Sequence, residues 1–252
     1  MIETVINIAD QATALVMKYY RKADLNVELK SDASPLTQAD LESHAFISAE
    51  LERHFPHPVV SEEASVEYAQ RKTWKTLWLV DPLDGTKDFI AATDEFTINI
   101  ALIQDQSPVL GVVAVPALGL LYYAARGTGA FKRDQHGNRS KIFNNRDGKD
   151  LICAESRFHA SPQTIEFCRH HSIKKVLNFG SAMKLCKIAE GEIDVYPRFK
   201  PTMEWDTAAG HCILNEGGGK LMDMVTKTEM VYNKESLVNN SFIASLNSLN
   251  FT

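Results

Sequence analysis

Ile2, Val5, Ile6, Ala9, Ala12, Val16 and Tyr19 recur at three- and four-residue spacing, which predicts an amphipathic helix over residues 2–22. A short strand is expected at "VELK" (27–30), then turn residues in "SDASPLTQAD". A second helix, capped by Thr37, should run to about Phe55. The period then changes. "PVVSEE" reads as a short strand ending in acids, and "WKTLWLV" as a buried strand. In "EFTINIALIQDQSPVLGVVAVPALGLLYYAARGTGAF", β-branched apolar runs are broken by polar and proline-containing turns. This predicts an antiparallel meander of three or four strands. Residues 135–149 are polar and turn-rich, and they mark the candidate boundary between an N-terminal half (1–140) and a C-terminal half (141–252). Beyond it, strands at "DLICAE", "IKKVLNF" and "EIDVYP" alternate with helices at "SPQTIEFCRHH", "SAMKLCKIAEG" and "EWDTAAGHCILNEGG". The last two helices are closed by Gly191 and by Gly217 with Gly218. "GGGK" (217–220) lacks phosphate-loop spacing and reads as a helix end feeding a strand. The order predicts α/β layering of helices and sheets in two joined halves.

Composition narrows the class. The 252 residues are 44% hydrophobic and 23% charged, with a net charge of −5. That suits a soluble globular chain with no general basic face for nucleic acid, although a local basic pocket is compatible with it. Four cysteines without a CxxC pair point to reduced, mostly buried thiols. The N-terminal stretch carries Glu3 and Asp10 and lacks a basic segment ahead of an apolar core, so it does not read as a secretion signal. No apolar run approaches the length of a transmembrane span. A cytoplasmic protein is expected. Peripheral association with the cytoplasmic face of the inner membrane stays open, as does the oligomeric state. The histidines show no metal-ligand spacing.

The candidate chemistry lies where the buried strand Leu77–Val80 runs into Asp81, Pro82, Leu83, Asp84, Gly85 and Thr86. Acids at the end of a buried strand are costly to desolvate unless something positive compensates. Glu62 and Glu63 end an earlier strand, Asp206 sits at a helix start, and Asp40 sits in "LTQAD". Singly, each is an ordinary turn, surface or helix-start acid. Gathered in one cleft, two bare carboxylates about 4 Å apart would repel by roughly 4 kcal/mol at an effective dielectric near 20. Oxygen donors without His or Cys then favour a hard cation, Mg²⁺. Pro82 should help end the strand, and the Leu83 carbonyl adds an oxygen. Gly85 allows close backbone approach, and Thr86 is expected to open a short helix whose amides, with that of Gly85, point at an anion. The conjunction describes a metal-dependent phosphate site. A haloacid-type Asp-x-Asp-Gly-Thr is absent, because the two acids here are separated by two residues.

"DPLDGTKDF", the upstream "SEE" and the downstream "EWDTAAG" together resemble the lithium-sensitive, magnesium-dependent phosphomonoesterases. That superfamily includes inositol monophosphatases, fructose bisphosphatases and 3′(2′),5′-bisphosphate nucleotidases. The resemblance runs from "SPLTQAD" to the last predicted helix. Lys87, "GSAMKLC" and "VYPRFKPTMEWDTAAGHCIL" are similar to the bisphosphate nucleotidase branch, with one departure: Lys200 stands where a small residue is expected. The resemblance implies an α/β (α+β) fold, a layered α-β-α-β-α sandwich. It implies one Mg²⁺ on Glu62, Asp81 and the Leu83 carbonyl, and a second on Asp81, Asp84 and Asp206. Asp40 and Thr86 would orient the attacking water, with a third, weaker Mg²⁺; Glu63 would lie outside the ligand set and support it. The implied substrate is adenosine 3′,5′-bisphosphate, a small-molecule nucleotide cleaved to AMP and phosphate, with lithium as an inhibitor. Leu83, Asp84, Gly85, Thr86 and Asp206 would face the phosphate, while Gly180, Ser181, Lys184 and Arg198 would contact the nucleotide. An inositol- or sugar-phosphate phosphatase, or a non-catalytic nucleotide- or RNA-binding protein on the same fold, are the alternatives.

Overall fold

The computed structural model describes residues 1–22, 28–29, 35–146, 148–158 and 161–251. Val27 and Lys30 of the expected "VELK" strand, and the expected turn at 31–34, lie outside the described residues. The chain opens with α1 (Ile2–Met17), short strands β1 (Glu28–Leu29) and β2 (Pro35–Leu36), and α2 (Gln38–His54). α1 ends before the apolar spacing does. Arg21 takes φ 60°, which a helix does not continue through. The two tyrosines beyond the helix serve as anchors, with the Tyr19 hydroxyl donating to Glu42 at 2.5 Å and the Tyr20 hydroxyl to Asp94 at 2.6 Å. α2 starts as expected. Thr37 is extended, and Asp40 accepts from its backbone N–H at 2.8 Å.

Strand β3 (Val59–Ser61) pairs in parallel with β4 (Thr76–Asp84), which follows the single turn α3 (Tyr68–Arg71). After α4 (Thr86–Ile90) come β5 (Thr97–Gln104), β6 (Ser107–Val115), β7 (Leu120–Ala125), β8 (Gly129–Arg133) and β9 (Arg139–Ile142). They complete a seven-stranded sheet in chain order, antiparallel from β4 onward. The predicted meander is β5–β8. β9 falls inside the stretch expected to be irregular, because an exposed edge strand needs no apolar pattern.

The remaining elements are β10 (Ile152–Ser156), α5 (Pro162–His170), β11 (Lys175–Phe179), α6 (Met183–Ala189), β12 (Val195–Arg198), β13 (Thr202–Met203), α7 (Glu204–Glu216), β14 (Gly219–Asp223), β15 (Val238–Asn239) and β16 (Phe242–Leu246). The second sheet runs β11-β10-β12-β16-β14, with β16 antiparallel to both of its neighbours. β15 and β16 were not expected from the sequence. β1 with β2, and β13 with β15, form small pairs of their own.

Burial shows the layers. Trp78, Val80, Ile98, Ile100 and Val112 pack with α1 and α2 on one face of the large sheet. Leu77, Leu79, Ala101, Ile103 and Val113 pack with α6 and α7 on the other, and that core continues into the second sheet. Cys153, Val195 and Ile243 meet α5 on the far side. The result is the expected α-β-α-β-α order. α7 sits very close to both neighbours. A Cβ at Gly111 of β6 would fall 2.3 Å from the Ala209 carbonyl oxygen, and one at Gly210 would fall 2.7 Å from Leu185 of α6. All four cysteines are buried free thiols. Among the described residues, no helix is long and apolar enough to cross a membrane.

Candidate active site

Alternate residues of a strand face the same way. Val60, Leu77, Leu79 and Ala101 face α7, so Glu62, Asp81 and Asn99, each two residues away along its strand, belong to that same face. The Glu62 N–H donates to the Val80 carbonyl at 3.1 Å and carries the parallel pairing one residue past β3. The first turn of α7 meets this end of the sheet and brings Asp206, which accepts the Met203 N–H at 2.8 Å. Acids distant in sequence are thus brought together by strand parity and by the depth at which α7 is packed.

β4 does not stop at Pro82 as expected. It runs on to Asp84 through a register shift between Asp81 and Asp84. Pro82 has no amide to donate, and the strand absorbs it as a bulge. The bulge is fixed by Ser43 of α2, which donates to the Pro82 carbonyl at 2.8 Å, and by the Leu83 N–H, which donates to Asp81 Oδ1 at 3.1 Å. Gly85 then takes φ 89° as the N-cap of α4, a left-handed position that favours glycine. Thr86 opens α4 as expected, with its hydroxyl 3.3 Å from Asp40 Oδ1 and 3.4 Å from the Leu83 carbonyl.

A cleft of about 540 Å³ is lined by Glu62, Asp81, Leu83, Asp84, Gly85, Thr86 and Asp206, together with Ser181, Lys184, Arg198 and Lys200. Its volume suits a small-molecule site. Burial raises Asp81 well above the usual carboxylate range, and repulsion from Glu62, Asp84 and Asp206 adds to it. Burial likewise raises Asp206, with the Asp84 and Glu62 charges adding to the shift and Arg198 opposing it. Asp84 is pushed up to about 6 by burial, against the pull of Lys184, the Asn99 side chain and the Ala182 amide. These groups repel one another, and Lys184 and Arg198 offset only part of the cost of burying them, which is the condition a divalent cation relieves. The donors are all oxygen, which fits a hard ion such as Mg²⁺. Among the described residues, no group of three or more His, Cys, Asp or Glu side chains is arranged to hold a metal ion. The acids share the cleft and act on one another through their charges.

Asp40 is buried behind Thr86 rather than lining the cleft. Burial raises it to about 6, against the two Thr37 hydrogen bonds. Glu63 also stays out of the cleft lining, and its charge reaches Asp40. Gly180 does not line the cleft, and its N–H donates to Glu95 at 2.7 Å. Ser181 faces the cleft with φ 44°. The expected helix start at Gly180 and Ser181 comes later, since α6 begins at Met183. Lys184 is buried and donates to the Ser181 carbonyl at 2.5 Å and the Phe179 carbonyl at 3.3 Å. Its ammonium lies 5.2 Å from the centre of the Tyr196 ring. Burial lowers it to about 8, with the Asp84 charge opposing. Arg198 braces the neighbouring loop by donating to the Lys200 carbonyl at 3.0 Å. Lys200 sits exposed at the cleft.

Thr97 and Asn99 of β5 were not foreseen. Each donates to Asp84 Oδ2 at 3.3 Å. The signal was in the sequence, as two polar residues spaced by two at the start of the apolar run "TINIALI".

The model of the inositol monophosphatase family matches residues 1–249. The chain is 41% identical over 244 residues to the 3′(2′),5′-bisphosphate nucleotidase CysQ of Salmonella typhimurium, covering 96% of this chain and 98% of that protein. It is 38% identical over 248 residues to the CysQ of Escherichia coli K12, covering 98% and 100%. Among solved structures, CysQ of Bacteroides thetaiotaomicron superposes with a TM-score of 0.87 at 38% identity, covering 98% of this chain and 97% of that one. The Thermotoga maritima IMPase superposes with a TM-score of 0.80 at 26% identity, covering 96% and 91%.

Proposed function

The chain belongs to the inositol monophosphatase family, and from that premise we propose that it removes the 3′-phosphate of adenosine 3′,5′-bisphosphate to give AMP and phosphate. It is a phosphatase, and Mg²⁺ dependence is general for its family. One observation carries the choice of substrate: the cleft holds cations as well as acids. Lys184, Arg198 and Lys200 line it together with Asp81, Asp84 and Asp206. A nucleoside with two phosphates matches this lining, one phosphate going to the metal-loaded acids and the other to the cations. The CysQ relatives are named for substrates of this kind. An inositol monophosphate carries no second anion for Lys184, Arg198 and Lys200.

Glu62, Asp81, the Leu83 carbonyl, Asp84 and Asp206 would hold two Mg²⁺ ions, with a third, weaker one near Asp40 and Thr86. When bound, magnesium supplies Lewis-acid activation of water and neutralises charge on the phosphoryl oxygens. The chain's own groups do the rest. Thr86 Oγ1 orients the attacking water and takes its proton as it gives its own to Asp40 Oδ1, its hydrogen-bond partner at 3.3 Å, while the released ribose oxygen takes a proton from solvent. The two Thr37 hydrogen bonds hold Asp40 in that orientation. The Gly85 and Thr86 amides take the non-bridging oxygens of the phosphate. Lys184, fixed by the Ser181 and Phe179 carbonyls, and Arg198 receive the distal anion together with the Ser181 turn.

The test is phosphate release from adenosine 3′,5′-bisphosphate, adenosine 2′,5′-bisphosphate, 3′-AMP and inositol 1-phosphate, with Mg²⁺, with chelator, and with added Li⁺. The bisphosphates should be turned over fastest, only with Mg²⁺, and should be inhibited by Li⁺. Faster release from inositol 1-phosphate would make the chain an inositol phosphatase. Tight nucleotide binding without phosphate release would make it a binding protein.

A further inference from the structure

The inner face of β5 presents two buried polar side chains before its apolar run begins. Thr97 and Asn99 are 0% and 1% exposed. In the register of β4 with β5, Thr97 stands opposite Asp84 and Asn99 opposite Asp81. The bulge between these acids swings Asp84 back over β5, so that both side chains reach the same carboxylate oxygen. Thr97 Oγ1 and Asn99 Nδ2 each lie 3.3 Å from Asp84 Oδ2. An ionised carboxylate only accepts, so the amide nitrogen of Asn99 must face it. Two donors on one oxygen fix the rotation of the carboxylate and leave Oδ1 as the oxygen that β5 does not engage. The Asn99 carbonyl oxygen is itself buried and, among the described residues, has no hydrogen-bond partner. A buried acceptor left without a donor needs a reason, and packing alone would be better served by an apolar residue here. Its neighbours Asp81 and Asp84 line the cleft, and a water carried in there with a cation would supply the missing donor.

We propose that Thr97 and Asn99 are positioning residues that hold Asp84 in the orientation needed to bind a divalent cation, with the Asn99 carbonyl accepting a hydrogen bond from a water of that cation. The proposal rests on the assignment of Asp84 as a ligand. Side chains that orient ligands from behind characteristically change metal affinity by 10–100-fold when replaced.

The experiment is calorimetric titration of the metal-free protein with Mn²⁺, in the absence of substrate, for the unaltered chain, Thr97→Val, Thr97→Ser, Asn99→Leu and Asp84→Asn. Melting in chelator confirms that each variant is folded. Thr97→Val and Asn99→Leu should weaken Mn²⁺ binding roughly 10–100-fold, and the Mg²⁺ concentration giving half-maximal phosphate release should rise in parallel. Thr97→Ser, which keeps the hydroxyl, should restore affinity. Unchanged Mn²⁺ affinity in folded Thr97→Val and Asn99→Leu overturns the proposal. Should Asn99→Leu fail to fold, the near-isosteric Thr97→Val with its serine rescue decides alone. If the unaltered chain binds no Mn²⁺ that Asp84→Asn removes, the metal-site reading itself fails, which is a separate result.

Discussion

Lys184 is a cation held where cations are disfavoured. Burial lowers its pKa to about 8, and the Asp84 charge limits the fall. The Ser181 and Phe179 carbonyls take two hydrogen bonds from its ammonium, which has three N–H groups to give. A lysine kept only for solubility would extend into water, so its buried position lining the cleft marks it for an anion. Lys184→Ala should reduce kcat/KM for adenosine 3′,5′-bisphosphate roughly 10–100-fold, the size expected for loss of a charge-assisted contact. Turnover equal to that of the unaltered enzyme would remove Lys184 from the substrate site. "GSAMKLC" made this residue a candidate on resemblance. Its burial could not be read from the sequence, because a lysine on a short helix is ordinarily solvated. Thr97 and Asn99 show the converse case. They looked like strand residues and turned out to touch Asp84.

At the scale of elements, α6 is tied to the large sheet by a partly buried ionic cluster. Glu190, at the C-terminal end of α6, accepts from Lys132 of β8 at 2.6 Å, Lys187 at 2.7 Å and the Tyr122 hydroxyl of β7 at 3.0 Å. A carboxylate at a helix C-terminus opposes the helix dipole, and the two lysines reverse that cost. Burial alone would raise Glu190, but the lysine hydrogen bonds outweigh it and the net shift is below the ordinary 4.5. The folded state therefore binds this proton less readily than the unfolded chain. The resulting stability is complete above about pH 4.5 and is lost as pH falls through the folded pKa. Glu190→Gln should lower stability by about 1–3 kcal/mol at pH 7. In denaturant melts the gap to the unaltered chain should narrow steadily below about pH 4.5; a gap independent of pH would show that Glu190 contributes by shape alone. Helix and strand assignments were largely legible, because α1, α2 and β4–β8 follow the 3.6 and 2.0 periods of one-sided or buried elements. β9 and β15 were not legible, since edge and two-residue strands are defined by backbone pairing rather than by side-chain pattern.

At the scale of the whole molecule, two sheets and the helices between them bring Glu62, Asp81, Asp84 and Asp206 to one cleft. The metal-free fold carries their repulsion, so binding a divalent cation should stabilise it. At free Mg²⁺ about 100 times Kd, linkage gives about 2.7 kcal/mol. That corresponds to a rise in Tm of roughly 5–10 °C for a chain of this size. Differential scanning calorimetry with Mg²⁺ and with chelator measures it, and Asp206→Asn should shrink the gain. Identical melts in both buffers would mean that no cation relieves these acids. The sequence by itself determined which chemistry was available: oxygen-rich acids at strand ends, a glycine that accepts a left-handed turn, and a helix start beside it. It also determined most elements, because periodicity is a local property. Only the tertiary structure decided that Asp40 stands behind Thr86, that Gly180 faces Glu95, that Lys184 is buried, and that Asn99 reaches Asp84. These facts depend on the parity of neighbouring strands, the register shift at Pro82 and the close seating of α7 on Gly111. None of them exists until distant segments pack.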